Sequence, residues 1–137
     1  MEAVGAALAR SLPDDQWLCL AGDLGAGKTT FARGFARGLG VREDITSPTF
    51  AIYSFYQGAP RQLLHMDAYR LHGPDDIEAL MLDDFLRSPF TVLLEWPERI
   101  VPALPPDARF LQFASIDEQK RRLTLLDGPP GSPESDR

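Results

Sequence analysis

The 137-residue chain is short of several residue types: it has one cysteine, two lysines and no asparagine. A single cysteine excludes an intrachain disulfide, and the apolar neighbours of Cys19 predict a buried thiol. No segment approaches the roughly 20 apolar residues of a membrane-spanning helix, and the N-terminus lacks the basic region and apolar core of a signal peptide. We therefore expect a soluble, cytoplasmic protein.

The chain is also short of positive charge. Lys and Arg total 14 and Asp and Glu total 20, so the net charge is −6. Tight nonspecific binding of nucleic acid needs many cations to neutralise phosphates, so direct binding of this kind is disfavoured, whereas a basic protein partner is not. A hydrophobic share of 44% is typical of a globular protein. We predict one domain over residues 1–127 and a disordered Gly/Pro/Ser-rich tail over residues 128–137.

Hydrophobic spacing predicts helices and strands in mixed order. Three segments have apolar residues at helical spacing, and the predicted helices cover 3–12, 28 to about 38, and 74–86. The last of these would place four apolar side chains on one face: Ile77, Leu80, Met81 and Phe85. Short apolar or β-branched runs predict strands at 17–21, 50–56, 62–67, 91–95, 110–116 and 123–126. The second and third of these strands, and the last two, are expected to form hairpins.

Residues 22–29, Gly-Asp-Leu-Gly-Ala-Gly-Lys-Thr, match the phosphate-binding loop (P-loop) pattern of Gly, four residues, Gly, Lys and Ser or Thr. A predicted strand precedes the loop and a predicted helix follows it, which is the context that the pattern requires. Glycines let backbone N–H groups approach a phosphate closely, and the helix N-terminus adds the positive end of its dipole. We expect Lys28 to lie between the β- and γ-phosphates, where it is a candidate catalytic residue that neutralises developing charge, and we expect the Thr29 hydroxyl to bind Mg²⁺. The predicted nucleotide-binding residues of this segment are Asp23, Leu24, Gly25, Ala26, Gly27, Lys28, Thr29 and Thr30.

Together these elements predict an α/β fold: a single P-loop NTPase domain with a central, mostly parallel sheet plus antiparallel hairpins, flanked by helices. Ligands gather at the carboxyl ends of the strands in such a sheet. Asp67 and Glu95 each end a predicted strand, so we expect both to lie near the phosphates. They are candidate catalytic residues that orient the attacking water, and candidate Mg²⁺ ligands, directly or through water. Either residue could instead be a solvated acid in a turn.

Residues 46–49, Thr-Ser-Pro-Thr, follow the P-loop helix, where GTPases carry a loop that senses the γ-phosphate. Thr49 is therefore a candidate for contacting the nucleotide or Mg²⁺, although a plain proline turn explains the same residues. Guanine-selecting NTPases use an Asn/Thr-Lys-x-Asp motif. This chain has no asparagine and neither lysine lies in such a motif, so ATP is favoured over GTP.

Four segments resemble the TsaE (YjeE) family, the P-loop ATPase component of the bacterial tRNA threonylcarbamoyladenosine machinery. They are Gly-Asp-Leu-Gly-Ala-Gly-Lys-Thr-Thr-Phe at 22–31, Ser-Pro-Thr-Phe at 47–50, His-Met-Asp-Ala-Tyr-Arg-Leu at 65–71 and Leu-Glu-Trp-Pro-Glu at 94–98. The first segment is common to many P-loop proteins. The last two are far more specific, and their order and intervals are similar to those of the family.

The resemblance implies a Mg²⁺-dependent ATPase that takes ATP to ADP and phosphate. It implies docking on the partner proteins TsaB and TsaD, of which TsaD transfers threonylcarbamoyl to the adenosine beside the tRNA anticodon. tRNA would then be contacted only indirectly, through the complex. The family roles imply that Thr29 and Glu95 bind Mg²⁺, that Asp67 lies near the metal and the hydrolytic water, and that Thr49 lies in a switch-like loop.

The resemblance also implies that Trp96 and Tyr69 lie near the nucleotide or a partner surface, whereas their types alone would suggest core aromatics. Trp96 is counted among the predicted nucleotide-binding residues. The two histidines, His65 and His72, receive no functional role, and we expect each to be structural or solvated.

Two other functions are compatible with the same motifs. The glycine spacing of the loop also suits a small-molecule kinase, but 137 residues leave little room for the Arg-rich lid and acceptor pocket of such enzymes. Alternatively, the chain is a nucleotide-switched binding module with negligible hydrolysis, in which ATP stabilises a docking surface. Residues 77–85, which are apolar and acidic, could form part of that surface.

Overall fold

A six-stranded sheet organises the part of the chain that the computed structural model describes, namely residues 1–22, 27–45, 52–59, 61–117, 120–126 and 128–129. The strands are β1 (Gln16–Gly22), β2 (Tyr53–Gln57), β3 (Gln62–Asp67), β4 (Phe90–Glu95), β5 (Arg109–Ser115) and β6 (Arg121–Leu126). Their order across the sheet is β2-β3-β4-β1-β5-β6.

The sheet is parallel in its centre and antiparallel at both edges. Strands β3, β4, β1 and β5 pair in parallel, whereas the β2–β3 and β5–β6 hairpins add one antiparallel strand at each side. The mixed α/β class and both hairpins are therefore confirmed. The parallel pairing brings the carboxyl ends of β1, β3 and β4 to the same edge of the sheet.

Within the described residues, three α-helices accompany the sheet: α1 (Glu2–Ser11), α2 (Gly27–Gly38) and α3 (Pro74–Glu78). Helices α1 and α2 pack closely because glycines remove side chains where their backbones meet. A Cβ atom on Gly34 would lie 2.0 Å from the Glu2 carbonyl oxygen, and one on Gly5 would lie 2.4 Å from the Phe31 carbonyl oxygen. None of the described helices is long and apolar enough to cross a lipid bilayer.

Alternating strand residues form two cores, one on each face of the sheet. The core on the α1/α2 face includes Leu18, Leu63 and Leu93, together with Phe31 and Phe35 of α2. The core on the opposite face includes Cys19, Leu64, Met66, Val92, Leu94 and Ile77. Cys19 is the buried thiol that the sequence predicts, and burial together with the negative charge of Glu98 raises its pKa. The same alternation places His65 and Glu95 on the α2 face.

The prediction of a helix over residues 74–86 is wrong in length, because the observed helix is shorter. Helix α3 ends at Glu78, and the chain continues through a left-handed residue, Met81, into a short 3₁₀ turn at Leu82–Asp84. Met81 has φ 53°, which breaks the helical spacing and turns Leu82 into the core. Of the four side chains predicted for one face, Ile77 is buried, while Met81 and Phe85 are exposed by 61% and 47%.

Strand bounds agree with the sequence prediction within two residues, apart from the start of β2. Strand β2 begins at Tyr53 rather than at residue 50, and β6 begins at Arg121, two residues before the predicted start. Residues 50 and 51, most of the predicted tail and residues 46–49 lie outside the described residues. The division into a domain and a tail stays a prediction.

Candidate functional site

The site lies where the carboxyl ends of β1, β3 and β4 meet the start of α2. Gly22 ends β1 with φ +94°, a conformation that side chains rarely adopt. A Cβ atom here would also lie 2.2 Å from the Phe113 carbonyl oxygen of β5. The first glycine of the P-loop pattern is therefore required both by its backbone angle and by the neighbouring strand.

Lys28 is buried at the start of α2, with only 6% of its surface exposed. Its Nζ lies 3.3 Å from Oε1 of Glu95 and 4.8 Å from the centre of the Trp96 ring. Burial lowers the pKa of Lys28 below its ordinary value, although the nearby carboxylate of Glu95 opposes this change. The structure thus joins the P-loop lysine to the acid predicted at the end of β4.

Glu95 is buried and both of its carboxylate oxygens have partners. Oε1 pairs with Lys28, while Oε2 lies 2.6 Å from Nε2 of His65, which donates a hydrogen bond to it. Burial alone would raise the pKa of Glu95. The hydrogen bond and charge of His65, and then Lys28, outweigh this effect and hold the pKa of Glu95 below its ordinary value. Glu95 is therefore a carboxylate at neutral pH.

His65 is the residue of this cluster that sequence reasoning missed. It is 1% exposed and lies on β3, whose neighbour in the sheet is β4. The expectation of a structural or solvated side chain gave it no role, yet it contacts Glu95 directly. The available signal was its spacing from Asp67: residues two apart on a strand face the same side of the sheet.

Asp67 ends β3 directly opposite Glu95 in the β3–β4 register. Its Oδ1 accepts a hydrogen bond from the backbone N–H of Tyr69 at 2.9 Å, which fixes the carboxylate in a tight turn. The negative charge of Asp67 also contributes to the pKa of Lys28, acting to raise it. Both predicted acids therefore lie at the same edge of the sheet as Lys28.

Two exposed aromatic residues, Trp96 and Tyr69, extend the site outward. Trp96 has φ 58° and is 39% exposed, and its ring meets that of Tyr69 edge-on at 5.3 Å. Arg99 donates a hydrogen bond to the Tyr69 carbonyl oxygen at 2.9 Å and lies over the Tyr69 ring. These three residues and Glu98 line a cavity of about 350 Å³. The interpretation of Trp96 and Tyr69 as core aromatics is wrong, because both are exposed.

The remaining predicted residues divide into two groups. Gly27, Thr29 and Thr30 lie in the first turn of α2, where Thr29 is exposed and Thr30 is half-buried. The others lie outside the described residues, and their nucleotide-binding roles stay predictions: Asp23, Leu24, Gly25, Ala26 and Thr49.

Comparisons with known proteins show the family of the chain. The model of the family described as "Threonylcarbamoyl adenosine biosynthesis protein TsaE" matches residues 1–123. The chain belongs to the TsaE family. Its members take part in the biosynthesis of tRNA threonylcarbamoyladenosine, so this chain has a role in that process.

Individual members of the TsaE family are similar over most of the chain. The Bacillus subtilis TsaE is 40% identical over 108 residues, covering 79% of this chain and 67% of the relative. The Streptomyces coelicolor TsaE is 46% identical over 112 residues, covering 78% and 74%. A crystal structure of Bacillus subtilis YdiB superposes with a TM-score of 0.68 at 34% identity, covering 90% of this chain and 76% of that one.

The oxygen donors of this TsaE-family site suit Mg²⁺ held together with a nucleotide. Across the described residues, no three His, Cys, Asp or Glu side chains are grouped so that they could hold a metal by themselves. Mg²⁺ bound with a nucleotide usually keeps several waters and takes phosphate oxygens, needing only one or two protein groups. The hydroxyl of Thr29 and the carboxylates of Glu95 and Asp67 are donors of that kind.

Proposed function

We propose that the chain binds ATP with Mg²⁺ at this edge of the sheet and hydrolyses it to ADP and phosphate. We propose further that it docks on TsaB and TsaD and so supports threonylcarbamoyl modification of the adenosine beside the tRNA anticodon. The observation that carries the proposal is the 3.3 Å contact between Lys28 and Glu95, which joins the start of α2 to the end of β4. Lys28 is the lysine of the P-loop pattern, which ends one residue later at Thr29.

The position of each residue in the site suggests its role. Lys28 and the N-terminal amides of α2 bind the phosphates and stabilise charge on them. Thr29 and Glu95 would hold Mg²⁺, with Asp67 near it directly or through water, and the ion would supply positive charge that offsets the charge of the phosphates. Glu95 or Asp67 orients the attacking water. Because the Lys28–Glu95 pair is buried, its charges act more strongly than they would in water.

The aromatic cavity supports a role for Trp96 in nucleotide binding. Its ring centre lies 4.8 Å from the Lys28 ammonium, and the residue is 39% exposed. A nucleotide whose phosphates contact Lys28 would therefore pass close to Trp96. The left-handed backbone of Trp96 is a strained conformation of the kind that collects at binding sites.

A second candidate function, the nucleotide-switched binding module, is favoured by the surface around α3. Met81 and Phe85 are exposed there beside Asp83 and Asp84. A cavity of about 440 Å³ lies next to them, between α3 and the 3₁₀ turn at Val101–Ala103. Apolar side chains surrounded by acids are typical of a surface that binds a basic protein partner.

Reconstitution separates these functions. Purified TsaB and TsaD are supplied with tRNA, ATP and an activated threonylcarbamoyl donor, with and without this chain, and tRNA modification and phosphate release are followed in parallel. We expect addition of the chain to increase the number of modification cycles and to release phosphate to water. Modification that is stimulated without phosphate release, with capture of TsaB–TsaD in ATP but not in ADP, would favour the binding module. Phosphate transferred to a metabolite would favour the kinase.

A further inference from the structure

We propose that His65 is a positioning residue that keeps Glu95 in place when Lys28 leaves it to bind nucleotide phosphate. The inference rests on the proposed function, because it concerns how the same site prepares for ATP. It assigns the two oxygens of Glu95 different tasks. Oε2 is held by His65, and Oε1 is the oxygen that changes partners.

The two contacts of Glu95 differ in length and in the stiffness of the partner. The His65 contact is 2.6 Å and joins residues of neighbouring strands, so both ends are fixed by the sheet. The Lys28 contact is 3.3 Å and involves an ammonium on a flexible four-carbon stem. Of the two partners, Lys28 is the one that can move without disturbing the backbone.

Phosphate binding requires such a movement. The P-loop lysine contacts the β- and γ-phosphates in NTPases of this class, so Lys28 must weaken or give up its contact with Oε1. A buried carboxylate that loses its partner is costly. The hydrogen bond from His65 satisfies Oε2 throughout, so the carboxylate keeps its place and presents Oε1 to the incoming ligand.

Packing alone does not explain why a polar residue occupies position 65. His65 is 1% exposed, and its Nδ1 has no hydrogen-bond partner among the described residues. Burying an unsatisfied polar atom is destabilising, and an apolar side chain of similar size would avoid that cost. Such a side chain could not donate a hydrogen bond to Glu95. The polar ring is therefore explained by its bond to Glu95 and not by packing.

Three variants test the proposal. His65→Leu removes the donor, His65→Gln places an amide donor near the position of Nε2, and His72→Leu is the matched control at an exposed histidine. We expect His65→Leu to lower kcat for ATP about 10-fold or more while KM and the stoichiometry of ADP binding stay close to wild type. His65→Gln should recover kcat to within about 3-fold, and His72→Leu should not change it.

A measurement on the wild-type protein does not depend on whether the variants fold. NMR of the histidine side chains should show a slowly exchanging Nε2–H proton for His65 that persists when ADP and Mg²⁺ are added, because the bond to Glu95 is kept. Loss of this signal on ligand addition would overturn the proposal, as would wild-type kcat in His65→Leu. An inactive wild-type protein would instead overturn the proposed ATPase function.

Discussion

At the scale of single residues, the state of Glu95 decides what the site can do. Its carboxylate is buried between a lysine and a histidine, and these partners hold its pKa below the ordinary value despite burial. An ionised Glu95 accepts hydrogen bonds and binds a cation, whereas a protonated one does neither as well. Keeping this group ionised is therefore a condition for the proposed chemistry.

The lowered pKa of Glu95 predicts how stability changes with pH. The folded state keeps Glu95 ionised at pH values where the unfolded chain, with an ordinary pKa of 4.5, takes up a proton. The free energy of unfolding therefore decreases as the pH falls below about 4.5 and through the lower folded-state pKa. We expect the free energy of unfolding to decrease less between pH 6 and pH 3.5 for Glu95→Gln than for the wild type. Urea denaturation in EDTA at the two pH values measures this difference.

The matched control for this comparison is Glu98→Gln, an exposed carboxylate in the same segment. The free energy of unfolding of this variant should decrease between pH 6 and pH 3.5 as much as that of the wild type. Equal losses of stability in wild type and Glu95→Gln would show that Glu95 is not held as an ionised group by its neighbours.

At the scale of the elements, local pattern predicts most of the fold but not the segment after α3. Strand β3 is found at the predicted residues 62–67, and β4 extends the prediction by one residue, because short apolar runs between turns identify buried strands. The spacing of Ile77, Met81 and Phe85 suggests one helical face, but the left-handed Met81 interrupts it. Packing of Leu82 into the core overrides the local pattern there.

The close packing of α1 on α2 gives a prediction about Gly34. Alanine is preferred over glycine by about 1 kcal/mol within a helix, so Gly34→Ala would stabilise α2 if the helix were isolated. In the structure the new Cβ would lie 2.0 Å from the Glu2 carbonyl oxygen and would push α1 away. We expect the free energy of unfolding to fall by about 2–3 kcal/mol, measured by urea denaturation.

Gly73→Ala is the control for this substitution. A Cβ at Gly73 meets no atom within 4 Å, and we expect a loss of at most about 1 kcal/mol because Gly73 is the N-cap of the short α3. If Gly34→Ala were as stable as the wild type, the helices would not pack in the manner described.

At the scale of the whole molecule, the site depends on strand order, which no local pattern contains. The sequence predicts that Lys28 follows a P-loop and that Asp67 and Glu95 end strands, because a glycine-rich loop and acids after apolar runs are local signals. The His65–Glu95 contact joins residues 30 positions apart and exists only because β3 and β4 are neighbours. The spacing from Asp67 places His65 on the same face of its strand, but the sequence does not show which strand lies beside it, so the contact with Glu95 could not be predicted.

The acidic composition of the whole chain agrees with the proposed indirect contact with tRNA. A net charge of −6 disfavours broad contact with a phosphate backbone, so the proposal assigns tRNA binding to the partners. The carboxyl edge of the sheet and the apolar, acidic surface around α3 are then free for nucleotide and for protein.

The most direct test of the central claim is phosphate release from ATP by wild type and Lys28→Ala, each with and without TsaB and TsaD. Arg42→Ala, an exposed cation remote in sequence from the P-loop, is the matched control. We predict that Lys28→Ala reduces the rate about 100-fold or more, because the variant loses the ammonium that stabilises charge on the transferred phosphoryl group, while Arg42→Ala keeps the wild-type rate. Hydrolysis by Lys28→Ala at the wild-type rate would contradict the account.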